Sequence, residues 1–404
     1  MNSLLSFRSS RTVVASALIA LLSPFSLYAE MLHREIPEGA GPLVIAGGSE
    51  SESWEEIFAT IVDLKLEGRP LAVFGTGQTD SNARSAGENL VARINSTFGD
   101  DTAVYVHITS SSGGNDPKNV AAIRAAGGVF FVGGIQGRIM DGFTNSDGDP
   151  SPAFEAVWEI YAAGAVVAGS SAGAAIMGSP MISGGTSSNA LVRGPTPAGS
   201  SPPGVNYRAG MGFNRDAVYC QHHIERGRFG RLLTAVVNPV FGSDFGIGIA
   251  EDTALLIDNS SRIATVIGSK GSIVIDASEA ELLDRGQMTG VKVHYLDRGD
   301  RINLRTREIH IADGRLPADP SQTGDAIAVD AWDANAIYDL MVQIMDTQGV
   351  DSGIAIDTNF NLIFEATKNT QLLRMTDETD GVRPTWSVID MSLSVLRRDD
   401  EAPI

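Results

Sequence analysis

The stretch at residues 165–178, AVVAGSSAGAAIMG, decides the fold of the first part of the chain. An apolar run ends in Gly-Ser-Ser-Ala-Gly, and small residues compatible with a helix follow it. This pattern predicts a strand, a sharp turn and a helix. Residues 169–173 fit the G-x-S-x-G motif, which sets a serine hydroxyl clear of a strand end. Ser171 is therefore a candidate nucleophile. The alternative is a tight turn in which Ser170 or Ser171 only caps the helix.

The same alternation extends outward from this stretch. The runs GPLVIAGG, PLAVFGTG and VFFVGG predict strands, and the segments between them have helical apolar spacing. The pattern predicts an α/β fold with a doubly wound, mostly parallel sheet and helices on both faces. Glycines at the strand exits 47–48, 75–77, 133–134 and 169 indicate a ligand crevice at the carboxyl edge of the sheet.

The pattern changes after residue 245, where segments such as RIATVIGSKGSIVID predict β-hairpins. GRLPADPSQTGDA then predicts a linker. We therefore expect a main domain over 30–312 and a mixed C-terminal extension over 313–404 that packs on it. The chain has 404 residues, enough for a substantial core.

The N-terminus has the pattern of a signal peptide at 1–29. Arg8 and Arg11 precede a short apolar run, and cleavage is expected after Ala29. An uncleaved anchor helix is the alternative. We expect a secreted or periplasmic protein that has no membrane contact after cleavage. The single cysteine, Cys220, excludes an internal disulfide. The formal charge of −19 makes nucleic acid an unsuitable partner.

A nucleophilic serine needs a base, and the six histidines can be narrowed down. His33 lies near the mature N-terminus, His107 in a predicted strand, and His294 and His310 in late β-segments. The remaining pair, His222 and His223, lies in DAVYCQHHIERGRFGRLL, which predicts a strand running into a helix. His222 is the candidate base.

The same segment carries three arginines within six residues, Arg226, Arg228 and Arg231. They indicate either a cluster that binds carboxylates or a solvated basic helix face. An orienting acid for the histidine is offered by GIGIAEDTALL, in which Glu251 and Asp252 are equal candidates. The chain order of serine, histidine and acid differs from that of α/β-hydrolases and disfavours a lipase or esterase.

Gly133-Gly134-Ile135-Gln136 follows the strand that precedes the Ser171 unit. Its amides or the Gln136 side chain could contact an oxyanion or a substrate, and a plain turn is the alternative. We expect the amides near Gly134 and Ala172 to form the oxyanion hole.

Together these segments resemble the cyanophycinases, a serine peptidase family that also includes aspartyl dipeptidase. The matching pieces are GGSE, FFVGGIQGRI, GSSAGAAIM, QHHIERGRFGRLL, GIGIAEDTALLI and VKVHYLDRGD, which span about residues 43–300. The resemblance implies a class I glutamine-amidotransferase-like fold, serine hydrolysis without a metal or other cofactor, and a substrate with aspartyl residues. The family substrates are cyanophycin, a polyaspartate backbone with arginine on its side chains, and small β-aspartyl or aspartyl peptides. The length and predicted signal are similar to those of the extracellular members.

Carried over residue by residue, the resemblance implies Ser171 as nucleophile, His222 as general base and Glu251 as the acid. It implies a substrate pocket formed by Gln136, Gln221, Arg226, Arg228 and Arg231. Two positions depart from the family pattern. Ile135 stands where the family commonly has Asp, and Cys220 also replaces a common Asp. These departures motivate one alternative, a non-catalytic binding protein on the same scaffold. A second alternative, a general serine esterase, is favoured only by the G-x-S-x-G match. The sequence leaves open whether the chain is a monomer or a homodimer.

Overall fold

A computed structural model describes residues 34–375 and 386–398. The predicted signal peptide at 1–29 and His33 lie outside the described residues, as do 376–385 and 399–404 of the predicted extension. Among the helices of the described ranges, none combines the length and the apolar character needed to cross a membrane.

The first part of the chain alternates strands and helices, as the sequence predicts. Strands β1 to β5 are Leu43–Ala46, Leu71–Phe74, Ala103–Tyr105, Gly128–Phe131 and Val166–Ser170. Helices α1 to α5 are Trp54–Leu64, Asp80–Phe98, Pro117–Ala125, Gln136–Phe143 and Pro152–Ala162. Strand β3 ends before His107, so the prediction that this histidine lies inside a strand is wrong.

The middle of the chain is more irregular. It contains α6 (Ala172–Ala175), β6 (Met181–Gly184), α7 (Ser187–Arg193), β7 (Pro195–Pro197), β8 (Val205–Arg208), β9 (Val218–Cys220) and α8 (Phe229–Val236). Strands β6, β7 and β8 pair with one another as a small separate sheet.

The remainder is mostly β-structure. Strands β10 to β17 are Phe245–Ile249, Thr253–Asp258, Ile263–Gly268, Ser272–Asp276, Glu281–Leu282, Met288–Leu296, Arg301–Asn303 and Ile309–His310. Then follow β18 (Arg315–Pro317), β19 (Gln322–Thr323), β20 (Ile327–Asp330), α9 (Ala336–Asp346), β21 (Thr347–Gln348), β22 (Ser352–Ile356), β23 (Phe360–Glu365), β24 (Gln371–Met375) and β25 (Trp386–Arg397).

The first sheet has the order β17-β16-β12-β11-β1-β5-β4-β2-β3 within the described residues. Its β1-β5-β4-β2-β3 half is parallel, and β11 adds antiparallel to β1. At the carboxyl end of β1, Ala46 pairs with Ser170 on one side and Ala254 on the other. The mixed α/β fold with a parallel sheet is therefore confirmed, and the crevice edge carries Ser170.

Helices cover both faces of this parallel half. Alternate strand residues point to opposite faces, so Val44 and Ile45 enter different cores. Helices α1 and α2 pack with Val44, and α3, α4 and α5 pack with Ile45. Helix α1 packs on the sheet through one apolar stripe, because its buried residues repeat at helical spacing: Trp54, Ile57, Phe58 and Ile61.

A second sheet has the path β20-β22-β23-β25-β15-β13-β10-β9, with β14, β18 and β24 attached, among the described residues. Strands β9 and β10 run parallel at one end of that path, with Cys220 opposite Gly248. This sheet crosses the predicted boundary at residue 312, because β15 pairs with β25. The boundary itself stays a prediction.

Candidate active site

Ser171 occupies a strained turn between β5 and α6. Its φ is 54° and its ψ is −108°, a conformation that a residue with a side chain rarely adopts. The turn is held because the Ser171 amide donates to the Ala46 carbonyl at 3.0 Å. Gly173 is required nearby, since a Cβ there would overlap the carbonyl of Phe131. The predicted strand, turn and helix context of the G-x-S-x-G motif is present.

Neither serine of the turn acts as a side-chain cap. Ser171 holds the N-cap position of α6, but its side chain makes no capping hydrogen bond. Its Oγ instead lies 2.6 Å from Nε2 of His222. The Ser170 hydroxyl donates to Oε1 of Glu50 at 2.5 Å. The alternative of a merely capped turn therefore does not describe this site.

The helix after Ser171 is shorter than the sequence suggests. Helix α6 ends at Ala175, and the Met177 amide then bonds to the Ala174 carbonyl in a tighter turn. The following Gly178 and Pro180 explain the early end, because glycine is a poor helix former and proline lacks the amide donor.

His222 reaches the serine from the second sheet. It lies two residues after β9, and its amide donates to the Gly47 carbonyl at 2.9 Å. The ring is buried, with 5% of the side chain exposed. Gly48 has a φ of 119°, and a Cβ at this position would overlap the His222 ring. The glycine-rich exit of β1 therefore makes room for the imidazole.

Glu251 completes a chain of contacts that begins at Ser171. Its Oε1 lies 2.6 Å from Nδ1 of His222, while Nε2 of the same ring faces the serine. Asp252 points elsewhere and accepts from the amides of Ser51 at 2.5 Å and Glu52 at 2.8 Å. Its backbone φ is 54°, and its carboxylate is engaged with the loop after β1 and not with His222. The geometry thus distinguishes two acids that the sequence leaves equal.

The electrostatics of the site favour a neutral His222. Burial lowers its pKa from 6.5, and the charges of Arg226 and Arg228 lower it further. The hydrogen bond to Glu251 and that carboxylate's charge oppose the shift without reversing it. A neutral imidazole has a free lone pair on one nitrogen, so it can accept the proton of the Ser171 hydroxyl.

Two backbone segments lie beside the serine where an oxyanion would form. Ala172 is the first residue of α6, and an amide in the first turn of a helix has no partner within the helix. The Gly133–Gly134 loop approaches from β4: a Cβ on Gly133 would lie 3.1 Å from Cβ of Ser171. Gly134 has a φ of 142°. Ala172 directly follows Ser171, and in the loop after β4 it is Gly133 that approaches the serine, while Gly134 packs on Gly77. The oxyanion role of Gly134 and Ala172 stays a prediction.

The two predicted glutamines occupy different surroundings. Gln136 begins α4 directly after the Gly134 loop, and its Nε2 donates to the Ile182 carbonyl at 3.1 Å. Gln221 is buried next to His222 in the chain, and its Oε1 accepts from Nη1 of Arg228 at 2.7 Å.

The three arginines differ strongly in exposure. Arg226 is half exposed, and its Nη2 lies 3.7 Å from Oε1 of Glu251. Arg228 donates to both the backbone carbonyl and the side chain of Gln221. Arg231 is buried and points into the protein, toward Cys220 and the Gly185 carbonyl. Only Arg231 lies within α8, so a solvated basic helix face does not describe this segment.

Sequence reasoning assigned no role to Glu50, although the GGSE motif contains it. Its carboxyl group accepts from Ser170, the residue before the candidate nucleophile. Burial, the largest effect, raises the Glu50 pKa, and the Ser170 hydrogen bond only partly offsets it. The sequence did offer a signal for Glu50: it is an acid that closely follows β1, and β1 pairs with β5. The histidines His107, His294 and His310 have partners elsewhere, so the structure does not bring them to the serine.

Several curated proteins that are similar to this chain are cyanophycinases. The chain is 30% identical over 198 residues to the cyanophycinases of Trichormus variabilis and Nostoc sp., a match that covers 47% of this chain and 61% of theirs. It is 29% identical over 206 residues to the cyanophycinase of Geminocystis herdmanii, covering 48% of this chain and 69% of that one. The chain thus spans about three fifths of the first two relatives.

No protein-family model matches the chain. Among solved structures, a peptidase from an acI-B1 Actinobacterium has a TM-score of 0.47 and 16% identity, covering 62% of this chain and 96% of that one. The chain is therefore similar in sequence to several cyanophycinases, over somewhat less than half of its own length.

Proposed function

We propose that this protein is a serine peptidase that hydrolyses cyanophycin or a related β-aspartyl or aspartyl peptide. The observation that carries the proposal is the continuous contact from Ser171 through His222 to Glu251, with both distances at 2.6 Å. A nucleophile, a base and an orienting acid in hydrogen-bond reach of one another are the requirements of acyl transfer by serine. The names of the relatives supply the substrate class.

In the proposed reaction the Ser171 hydroxyl attacks the scissile carbonyl while Nε2 of His222 takes its proton. Glu251 accepts the hydrogen bond from Nδ1, so it fixes the tautomer and stabilises the imidazolium that forms. The imidazolium then donates its proton to the leaving amine. Water, deprotonated by the same histidine, hydrolyses the acyl-enzyme and restores the serine.

The charge that develops on the carbonyl oxygen would be met by the amides of Ala172 and the Gly134 loop. Arg226 is the candidate for holding a substrate carboxylate. Its guanidinium is half exposed at the site and lies near Glu251, whereas Arg231 is directed into the protein. A guanidinium fork matches the geometry of an aspartyl carboxylate.

Ile135, one of the two positions that depart from the family pattern, bears on which peptide is cleaved. Ile135 is 57% exposed at the start of α4, directly after Gly134. An apolar side chain there offers no charge to an arginyl or free amino group on the substrate. The proposal therefore covers β-aspartyl and aspartyl peptides in addition to cyanophycin.

Mass spectrometry of the products from a substrate panel tests the proposal. The panel holds cyanophycin, β-aspartyl-arginine, other β-aspartyl peptides, α-aspartyl peptides and simple esters. We expect hydrolysis of at least one aspartyl substrate, abolished by Ser171→Ala with the fold intact by circular dichroism. Turnover of esters alone would support a general esterase instead. No turnover of any substrate would support a non-catalytic binding protein.

Two finer expectations belong to the same proposal. The first is a class I glutamine-amidotransferase-like fold, supported by the parallel sheet with helices on both faces and the serine at its carboxyl edge. The second is export to a secreted or periplasmic location, supported by the sequence of residues 1–29. N-terminal sequencing of protein from the culture medium or periplasm should begin at Glu30. Intact protein retained in the cytoplasm would contradict the export.

A further inference from the structure

A buried group of charges lies behind Gln221, and we call Cys220, His223, Arg228 and Arg231 the arginine–thiol cluster. Cys220 ends β9 and is 1% exposed. Nη2 of Arg231 lies 3.4 Å from its Sγ, within hydrogen-bond distance for sulfur. Arg231 is itself 5% exposed, so this contact is shielded from solvent.

The cluster brings two guanidinium groups into low-dielectric surroundings. Burial lowers the pKa of Arg228 to about 10, and the charge of Arg231 is the next contribution. Buried cations are strongly destabilising unless an anion compensates them. Glu251 is already engaged with His222. Arg231 contacts the Gly185 carbonyl and the sulfur of Cys220, and of these two groups only the sulfur can carry a negative charge.

The thiol responds to these charges. Burial alone would raise its pKa, but Arg231, then His223 and Arg228, outweigh that effect and lower the pKa to about 6. Thiolates are stabilised by neighbouring cations, so Cys220 would carry a negative charge at neutral pH.

His223 adds an independent observation. It is 1% exposed, and neither ring nitrogen has a hydrogen-bond partner within bonding distance in the part of the chain described. The ring packs on Gly248, where a Cβ would overlap it, and lies close enough to lower the thiol pKa. Since His223 is near enough to affect the thiol, its unsatisfied imidazole N–H would find a strong acceptor in a thiolate and a much weaker one in a neutral thiol.

The cluster is connected to the reacting groups through Gln221. Arg228 donates from Nη1 to the carbonyl of Gln221 at 2.8 Å and to its Oε1 at 2.7 Å. Gln221 directly precedes His222, whose amide is fixed to Gly47. The charge balance around Arg228 therefore bears on the orientation of a predicted substrate-contacting side chain.

We propose that Cys220 is a positioning residue: as a thiolate it is the counter-ion of Arg231 and Arg228, and through Arg228 it holds Gln221 in place beside His222. The effect on turnover rests on the proposed function, whereas the ion pair does not. The cysteine thus supplies the negative charge that a carboxylate would supply at the same position.

The ion pair can be measured without a substrate, because Cys220 is the single cysteine of the chain. Thiolate absorbance at 240 nm, titrated in native protein with Cys220→Ser as the blank, should show a midpoint near the lowered pKa of about 6. Arg231→Gln should move the midpoint upward. A wild-type midpoint at the ordinary thiol value of about 8.5 or higher would overturn the proposal.

Turnover tests the positioning role. Cys220→Asp keeps an anion, and Cys220→Asn is its neutral match of nearly equal shape. We expect Asn to lower kcat/KM for cyanophycin roughly tenfold or more, and Asp to restore it to within about threefold of wild type. Equal kcat/KM for the two variants would overturn the positioning role. If wild type cleaves no member of the panel, the proposed function fails, and the titration still decides the ion pair.

Discussion

Gly48 and His222 are matched to each other across the two sheets. The glycine follows β1, the histidine follows β9, and the imidazole occupies the space that a side chain at residue 48 would fill. The position of the base therefore depends on the absence of a Cβ 174 residues earlier in the chain.

Gly48→Ala should displace the His222 ring and lower kcat roughly 100-fold, since a shift of about 1 Å in a catalytic group has that effect. Steady-state kinetics on the cleaved substrate measures it. Gly68→Ala is the matched control, because Gly68 also has a positive φ, but a Cβ added there would meet nothing within 4 Å. Equal losses in both variants would mean that backbone strain, and not the His222 ring, is responsible.

The two adjacent acids should respond differently to amide substitution. Glu251→Gln removes the negative charge that orients His222 and stabilises its imidazolium, so it should lower kcat by roughly 10³-fold or more, with a nearly unchanged melting temperature. Asp252→Asn weakens the bonds to the Ser51 and Glu52 amides and should reduce the free energy of unfolding by about 1–3 kcal/mol. Kinetics and thermal unfolding on both variants check this. If Asp252→Asn lowered kcat and Glu251→Gln lowered only the stability, Asp252 would be the orienting acid instead.

The pH dependence of kcat/KM should report His222. Its pKa is lowered from 6.5 by burial first and then by Arg226 and Arg228, so the acid limb of the profile should fall below pH 6.5. Arg226→Gln removes one positive charge and should move that limb toward higher pH. An acid limb above 6.5 in wild type, or a shift in the opposite direction in the variant, would contradict the charge arrangement described.

Ser170 and Ser171 offer a direct comparison of neighbouring hydroxyls. Ser170 is bonded to Glu50 and Ser171 to His222. Ser170→Ala should remain labelled by a fluorophosphonate probe, and Ser171→Ala should not, because only the second hydroxyl has a base. Gel fluorescence quantifies the label. Loss of labelling in Ser170→Ala with retained labelling in Ser171→Ala would exchange the two roles.

The sequence predicts the parts of the site that depend on local backbone. The turn at Ser171 follows from an apolar strand, a glycine-flanked serine and small residues after it, all within a few positions. The same holds for helix α1, whose apolar spacing defines its buried face. The choice between Glu251 and Asp252 is different, because it depends on partners far away in the chain: His222 for Glu251 and the amides of Ser51 and Glu52 for Asp252. Two adjacent acids carry no sequence signal that distinguishes these partners.

The features of the fold and the site that the sequence does not predict depend on pairing between strands that are far apart in the chain. The sequence indicates one parallel sheet, whereas β9 and β10 belong to the second sheet and bring His222 and Glu251 to the serine from there. Which strands pair is decided by packing of the whole chain, as with β15 and β25 across the predicted domain boundary. The burial of Arg231 against Cys220 likewise depends on where α8 packs on β9.

Mass-spectrometric mapping of the fluorophosphonate adduct tests the central claim most directly. We predict a single adduct on Ser171 in wild type and its loss, by roughly 100-fold or more in labelling rate, in His222→Ala. An adduct on another residue, or labelling of Ser171 that is unchanged in His222→Ala, would contradict a serine nucleophile activated by His222.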